Sequence, residues 1–99
     1  VPKKTRLTRE HHDEMGRTLA GIRDELAHRA IQLGHAYPMS GADGTPHRKL
    51  GAAIRALDEA RSALDSLLFR DYPDTAEPTV YYPHPEDRSV VIAPDRPLS

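Results

Sequence analysis

The sequence predicts an all-α fold: an antiparallel hairpin of two long helices, followed by a proline-rich, extended tail. Three observations carry this. No proline occurs between Pro2 and Pro38 or between Pro46 and Pro73, whereas six of the nine prolines fall within residues 73–97. Proline removes a helix donor and clashes with the preceding turn, so only the proline-free stretches suit long helices. Both stretches carry apolar residues at helical spacing, and between them residues 38–45 (Pro-Met-Ser-Gly-Ala-Asp-Gly-Thr) are turn-forming by composition. The chain therefore divides into a helical hairpin domain, 1–72, and a tail, 73–99.

The first helix is predicted over residues 8–37. Thr8 is a competent N-cap preceded by Leu7, and Glu10, Asp13 and Glu14 put negative charge at the positive end of the helix dipole. Its apolar seam is Met15, Leu19, Ile22, Leu26 and Leu33, with Ala30 and Tyr37 beside it, and Pro38 ends it. The second helix is predicted over 46–70, with Thr45 as N-cap, Pro46 in the first helical position and Tyr72-Pro73 closing it. Its seam is Leu50, Ala53, Ile54, Leu57, Ala60, Leu64, Leu67 and Leu68. A link this short makes the helices antiparallel neighbours. In the tail, Thr79–Tyr82 and Ser89–Ile92 favour β structure and are candidates for a short hairpin, although an isolated two-stranded hairpin is marginal in water.

Each helix also carries a second stripe. Gly16, Ala20, Ala27 and Ile31 lie roughly 85–145° from the first seam, and Ala52, Ala56 and Ala63 widen the apolar arc of the second helix to roughly 200°. One buried face needs about 100°. A leucine left wet forfeits about 1.5–3 kcal/mol, a large share of a small domain's stability. These seven residues are therefore the expected interface with a second copy, and two hairpins would form a four-helix bundle.

Composition bounds function. Ninety-nine residues without cysteine allow one small domain and exclude disulfides and thiolate metal sites. No apolar run approaches the roughly 18 residues of a membrane span, and no apolar segment follows Lys3, Lys4 and Arg6 as in a secretory signal, so a cytoplasmic protein is expected. Eleven arginines against three lysines suit a high-GC bacterial source. Residues 1–70 hold 12 basic against 9 acidic side chains and residues 71–99 hold 2 against 6, so the body is mildly basic and the tail acidic.

No catalytic signature appears. There is no nucleophile elbow or glycine-rich phosphate loop, and Ser40, Ser62 and Ser66 lack a nearby base, so no enzyme and no cofactor is expected. Glu25-Leu26-Ala27-His28 has the Glu-x-x-His spacing of di-iron bundles, with Glu59 as a further ligand, but helical angles put Glu25, His28 and Glu59 on solvent faces. His11 and Glu14 have metal-ligating i, i+3 spacing, against the simpler reading of helix-start polar residues with His12 packed on Leu7. Because histidine titrates near neutrality, these two histidines also raise a pH-sensitive interface. Arg61 points near the apolar arc, placed to snorkel or pair with an acid.

The favoured expectation is a non-enzymatic interaction or adaptor module acting as a homodimer. Tyr81, Tyr82, Val90, Val91 and Ile92 form a candidate partner-binding segment in its tail. The alternatives are a nucleic-acid-associated, antitoxin-like regulator of a mobile element, using the basic arm Lys3, Lys4, Arg6 and Arg9, and a metal-binding bundle. For the tail, folding back over its own hairpin through Tyr81, Val91 and Ile92 stands beside partner binding.

Overall fold

A computed structural model describes residues 4–89. Helix α1 spans Arg9–Ala36 and helix α2 spans Thr45–Asp71, each within a residue or so of its predicted bounds. The helices pack against each other and run antiparallel. Arg23 of α1 pairs with Asp58 of α2, and Leu7, before α1, meets Tyr72, just after α2. No helix among the described residues is long and apolar enough to cross a membrane.

Thr8 caps α1 as expected: its backbone is extended and its hydroxyl accepts from the His11 amide at 3.1 Å. Thr8→Ala removes that acceptor and should cost about 1 kcal/mol in the denaturation midpoint, with Thr8→Ser neutral. The start of α2 differs from expectation. Gly44 is the N-cap residue, Thr45 already has helical geometry, and no side chain caps the amides. Arg48 claims the Thr45 hydroxyl instead, at 2.9 Å, and ties down the turn by donating to the Met39 and Gly41 carbonyls, each at 3.0 Å. Gly41 makes the reversal with φ of +71°, the left-handed region where a side chain would strain the backbone.

Residues 72–89 fold back over the hairpin as a strap. Successive turns start it: the Thr75 and Ala76 amides donate to the Tyr72 carbonyl and the Val80 amide to that of Glu77. A short 3₁₀ turn follows at Pro85–Asp87. Residues 79–82, expected as a strand, form a turn, and no strand occurs among the described residues. The second expected strand lies largely outside the described residues. Pairing was unnecessary because the body supplies partners: the Ser89 amide donates to the Arg17 carbonyl of α1.

The strap relocates the core. The buried core residues are Ala20, Leu68, Val80 and Tyr81, with Leu64, Tyr72 and Ala76 packed around the last three. Of the predicted seams, Leu19, Ile22, Leu26, Leu33, Leu57 and Leu64 are half-buried, and Ala53, Ala60 and Leu67 are exposed. The inward stripe of α2 keeps Leu50, Ile54, Leu57, Leu64 and Leu68 of the predicted seam and adds Arg61, an unbroken alternation of four and three in which Arg61 and Leu68 are buried and the others half-buried.

Candidate functional site

Two surfaces emerge, the seat of the strap and the outer face of α2. The seat is built on α1 by His12, Gly16 and Ala20, one turn apart and all buried. The Val80 main chain lies so close over Gly16 that a Cβ there would overlap the Val80 carbonyl. Glycine is thus required by close approach. Gly16 and Ala20, expected to receive a second copy, are covered by this chain's own tail and core. The backbone that comes near Gly16 is the strap's.

Arginines hold the strap by its main chain. Arg61, 4% exposed, donates from Nη2 and Nε to the Tyr81 carbonyl at 2.7 and 3.2 Å, and stacks over the Tyr82 ring at 4.7 Å. Its Nη1 reaches Asp58 at 3.2 Å, and Asp58 takes two further bonds from Arg23. Burial pushes the Asp58 carboxyl upward, but the hydrogen bonds and charges of Arg23 and Arg61 outweigh it and hold the group below its usual range. One carboxylate therefore joins α1, α2 and, through Arg61, the strap. Arg9 donates to the Thr75 carbonyl at 2.9 and 3.3 Å, and Arg88 pairs with Asp24 at 2.7 Å. Arg61 had been read as snorkelling or pairing with an acid; its grip on a carbonyl 20 residues away has no signature in spacing.

Under the strap lies a small polar cluster. The His12 ring is 1% exposed, sits edge-on to both Tyr72 and Tyr81, and hydrogen bonds through Nδ1 to the Tyr81 hydroxyl. Its Nε2 is buried without a partner. Burial is the main influence on His12 and lowers it from its ordinary value; Asp71 and Asp13 oppose this and Arg9 adds to it. Burial, with the charges of Asp65 and Asp13, pushes the Tyr81 phenol up to about 12. The Asp65 carboxyl is likewise raised by burial, and its Oδ1 has no hydrogen-bond partner. To the packing of His12 expected on Leu7 the structure adds the rings of Tyr72 and Tyr81, which the spacing of the sequence does not place there.

The other predicted residues separate. In the basic arm, Lys4 is exposed and Lys3 lies outside the described residues, while Arg6 sits over the Tyr72 ring at 5.2 Å and donates to the Asp71 carbonyl. With Arg9 on Thr75, two of the four arm residues grip the chain's own strap. Tyr81 is buried and Tyr82 is 46% exposed, while Val90, Val91 and Ile92 lie outside the described residues. Glu25 and His28, assigned to solvent, are half-buried, and Glu25 pairs with Arg29 at 2.8 Å. Glu59, His11 and Glu14 are exposed, and among the described residues no three metal-ligating side chains converge. An open cleft at the hairpin tip, lined by Leu33, Tyr37, Ala42, Asp43 and Pro46, carries a single acid.

The outer face of α2 is the second surface. Ala52, Ala56 and Ala63 are exposed, as are Ala53, Ala60 and Leu67. Residues 53, 56, 60, 63 and 67 alternate by three and four and form one uncharged seam along the helix. On α1, Ala27 is half-buried and Ile31 is 58% exposed. No protein-family model matches this chain, and no curated protein or solved structure matches it.

Proposed function

We propose that this chain is a small, non-enzymatic interaction module that pairs with a second copy of itself through the outer face of α2. The observation that supports this reading is the exposed seam of Ala53, Ala56, Ala60, Ala63 and Leu67, which the strap leaves uncovered. Alternating three- and four-residue spacing is the pattern by which two helices mesh, and alanines let the backbones approach closely. The seam has no charge of its own. Its flank carries Arg55 and Glu59, opposite charges one helical turn apart. The partner-binding surface thus shifts from both helices to α2, because the strap occupies Gly16 and Ala20 is buried on α1. The nucleic-acid reading loses weight because Arg6 and Arg9 are engaged with the strap.

Light scattering tests this directly. At tens of micromolar the chain should have twice its 11.0 kDa mass. Ala60→Glu, which sets an unpaired charge into each half of the seam, should weaken pairing by about 3–5 kcal/mol and give a monomer with unchanged helix content. A wild-type monomer at that concentration ends the proposal.

A further inference from the structure

We propose that residues 72–89 are an acid-released strap latched by the contact between His12 and Tyr81, so that protonating His12 frees the strap and bares α1 at Gly16. The latch favours the neutral imidazole. The phenol of Tyr81 keeps its proton at any pH near neutrality, and its hydroxyl shares one hydrogen bond with His12 Nδ1, donated by either partner according to the ring's tautomer. In either tautomer Nε2 is buried and meets no partner. The imidazolium carries a hydrogen on both nitrogens, and the one on Nε2 has no acceptor. Protonation therefore creates a cation enclosed among aromatic rings with one of its two donors unsatisfied.

The groups facing His12 come from every element around it. From α1 they are Arg9 and Asp13; from the end of α2, Asp71, itself bound to Arg70 and near Arg6; from the strap, Tyr72 and Tyr81. Asp65 of α2 acts on Tyr81 from the other side. The carboxylates favour the imidazolium, but enclosure outweighs them and leaves His12 below its ordinary 6.5. Below 6.5 the open form therefore takes up a proton that the closed form refuses. Closure is at full strength above 6.5 and weakens as pH falls towards the enclosed ring's own lower value. The other anchors named on the strap's main chain are guanidinium-to-carbonyl and amide-to-carbonyl bonds, which exchange no proton near neutrality.

This latch is independent of pairing through α2, and amide hydrogen exchange on the full chain tests it. The Ser89 amide, bonded to the Arg17 carbonyl, and the Val80 amide report closure, and amides of α2 between residues 54 and 64 serve as the internal reference. From pH 7.5 to 5.0, protection at Val80 and Ser89 should fall by about tenfold for each pH unit that the enclosed His12 lies below 6.5, up to about thirtyfold at pH 5.0, while the reference amides hold. In His12→Gln, which cannot titrate, the difference between the two pH values should vanish. Should that variant fail to fold, the His12 ring followed by NMR in the unaltered chain gives the answer, with a midpoint below 6.5 that moves together with the Tyr81 ring signals. Equal protection at both pH values, a pH difference retained in folded His12→Gln, or a His12 midpoint at or above 6.5 overturns the proposal.

Discussion

Gly16→Leu should detach the strap while leaving the helices intact. On an exposed helix face, replacing glycine gains about 1 kcal/mol through lower backbone entropy. Here the first added carbon would overlap the Val80 carbonyl and touch the Tyr81 Cα at 3.4 Å. Overpacking commonly costs about 1–3 kcal/mol where side chains can shift, but main chain on main chain has no such freedom. The helix is held by its own hydrogen-bond ladder and the strap by a handful of contacts, so the strap yields. Far-UV circular dichroism should show helix content held or raised. Near-UV tyrosine signal should drop, and the Ser89 amide should lose its protection. A Gly16→Leu protein that keeps Ser89 protected would place the strap elsewhere.

Tyr81→Ala should be the most damaging single truncation, at about 3–5 kcal/mol in chemical denaturation. Tyr81 is fully buried beside Leu68 and Val80 and is the largest enclosed side chain among the described residues. Its loss opens a cavity over Leu68 and leaves both nitrogens of His12 without partners, in a domain whose whole stability is on the order of 5–15 kcal/mol. Tyr81→Phe separates the two contributions. It keeps the packing and removes only the hydroxyl, so it should cost about 1–3 kcal/mol, the cost of a buried acceptor left unsatisfied. Equal losses in the two variants would mean that the ring contributes little beyond its hydrogen bond.

The hairpin was legible because its signals are local. Proline positions bounded both helices, Thr8 marked the first start, and Pro38 and Pro73 marked the ends. The second start was misread by one residue because Thr45, with Pro46 behind it, resembles a cap, whereas Gly44 fills that position and Arg48 takes the threonine hydroxyl. The face each helix turns inward was less legible. Periodicity weights leucines, so Leu67 and Ala60 were assigned to the core and Gly16 and His12 were not, yet the strap makes the opposite choice at each. What decides that choice is a tyrosine 69 residues from His12 and a carbonyl 20 residues from Arg61. Main-chain acceptors leave no trace in residue type, so their capture by arginine is invisible to spacing.

The separation along the chain between the contacts that seat residues 72–89 sets an order of events in folding. The contacts with α1, Arg9 with Thr75 and His12 with Tyr81, span 66 and 69 positions, and the grip of Arg61 on Tyr81 spans 20, whereas the two helices are joined by a link of only eight residues. Closing the short link costs less entropy, so the helical pair forms early and the last segment arrives afterwards. A ribosome imposes the same sequence, since residues 72–89 emerge after both helices. Each nascent chain therefore passes through a stage in which Leu68 and the glycine-lined side of α1 are wet, and crowding by neighbouring nascent chains is most hazardous then.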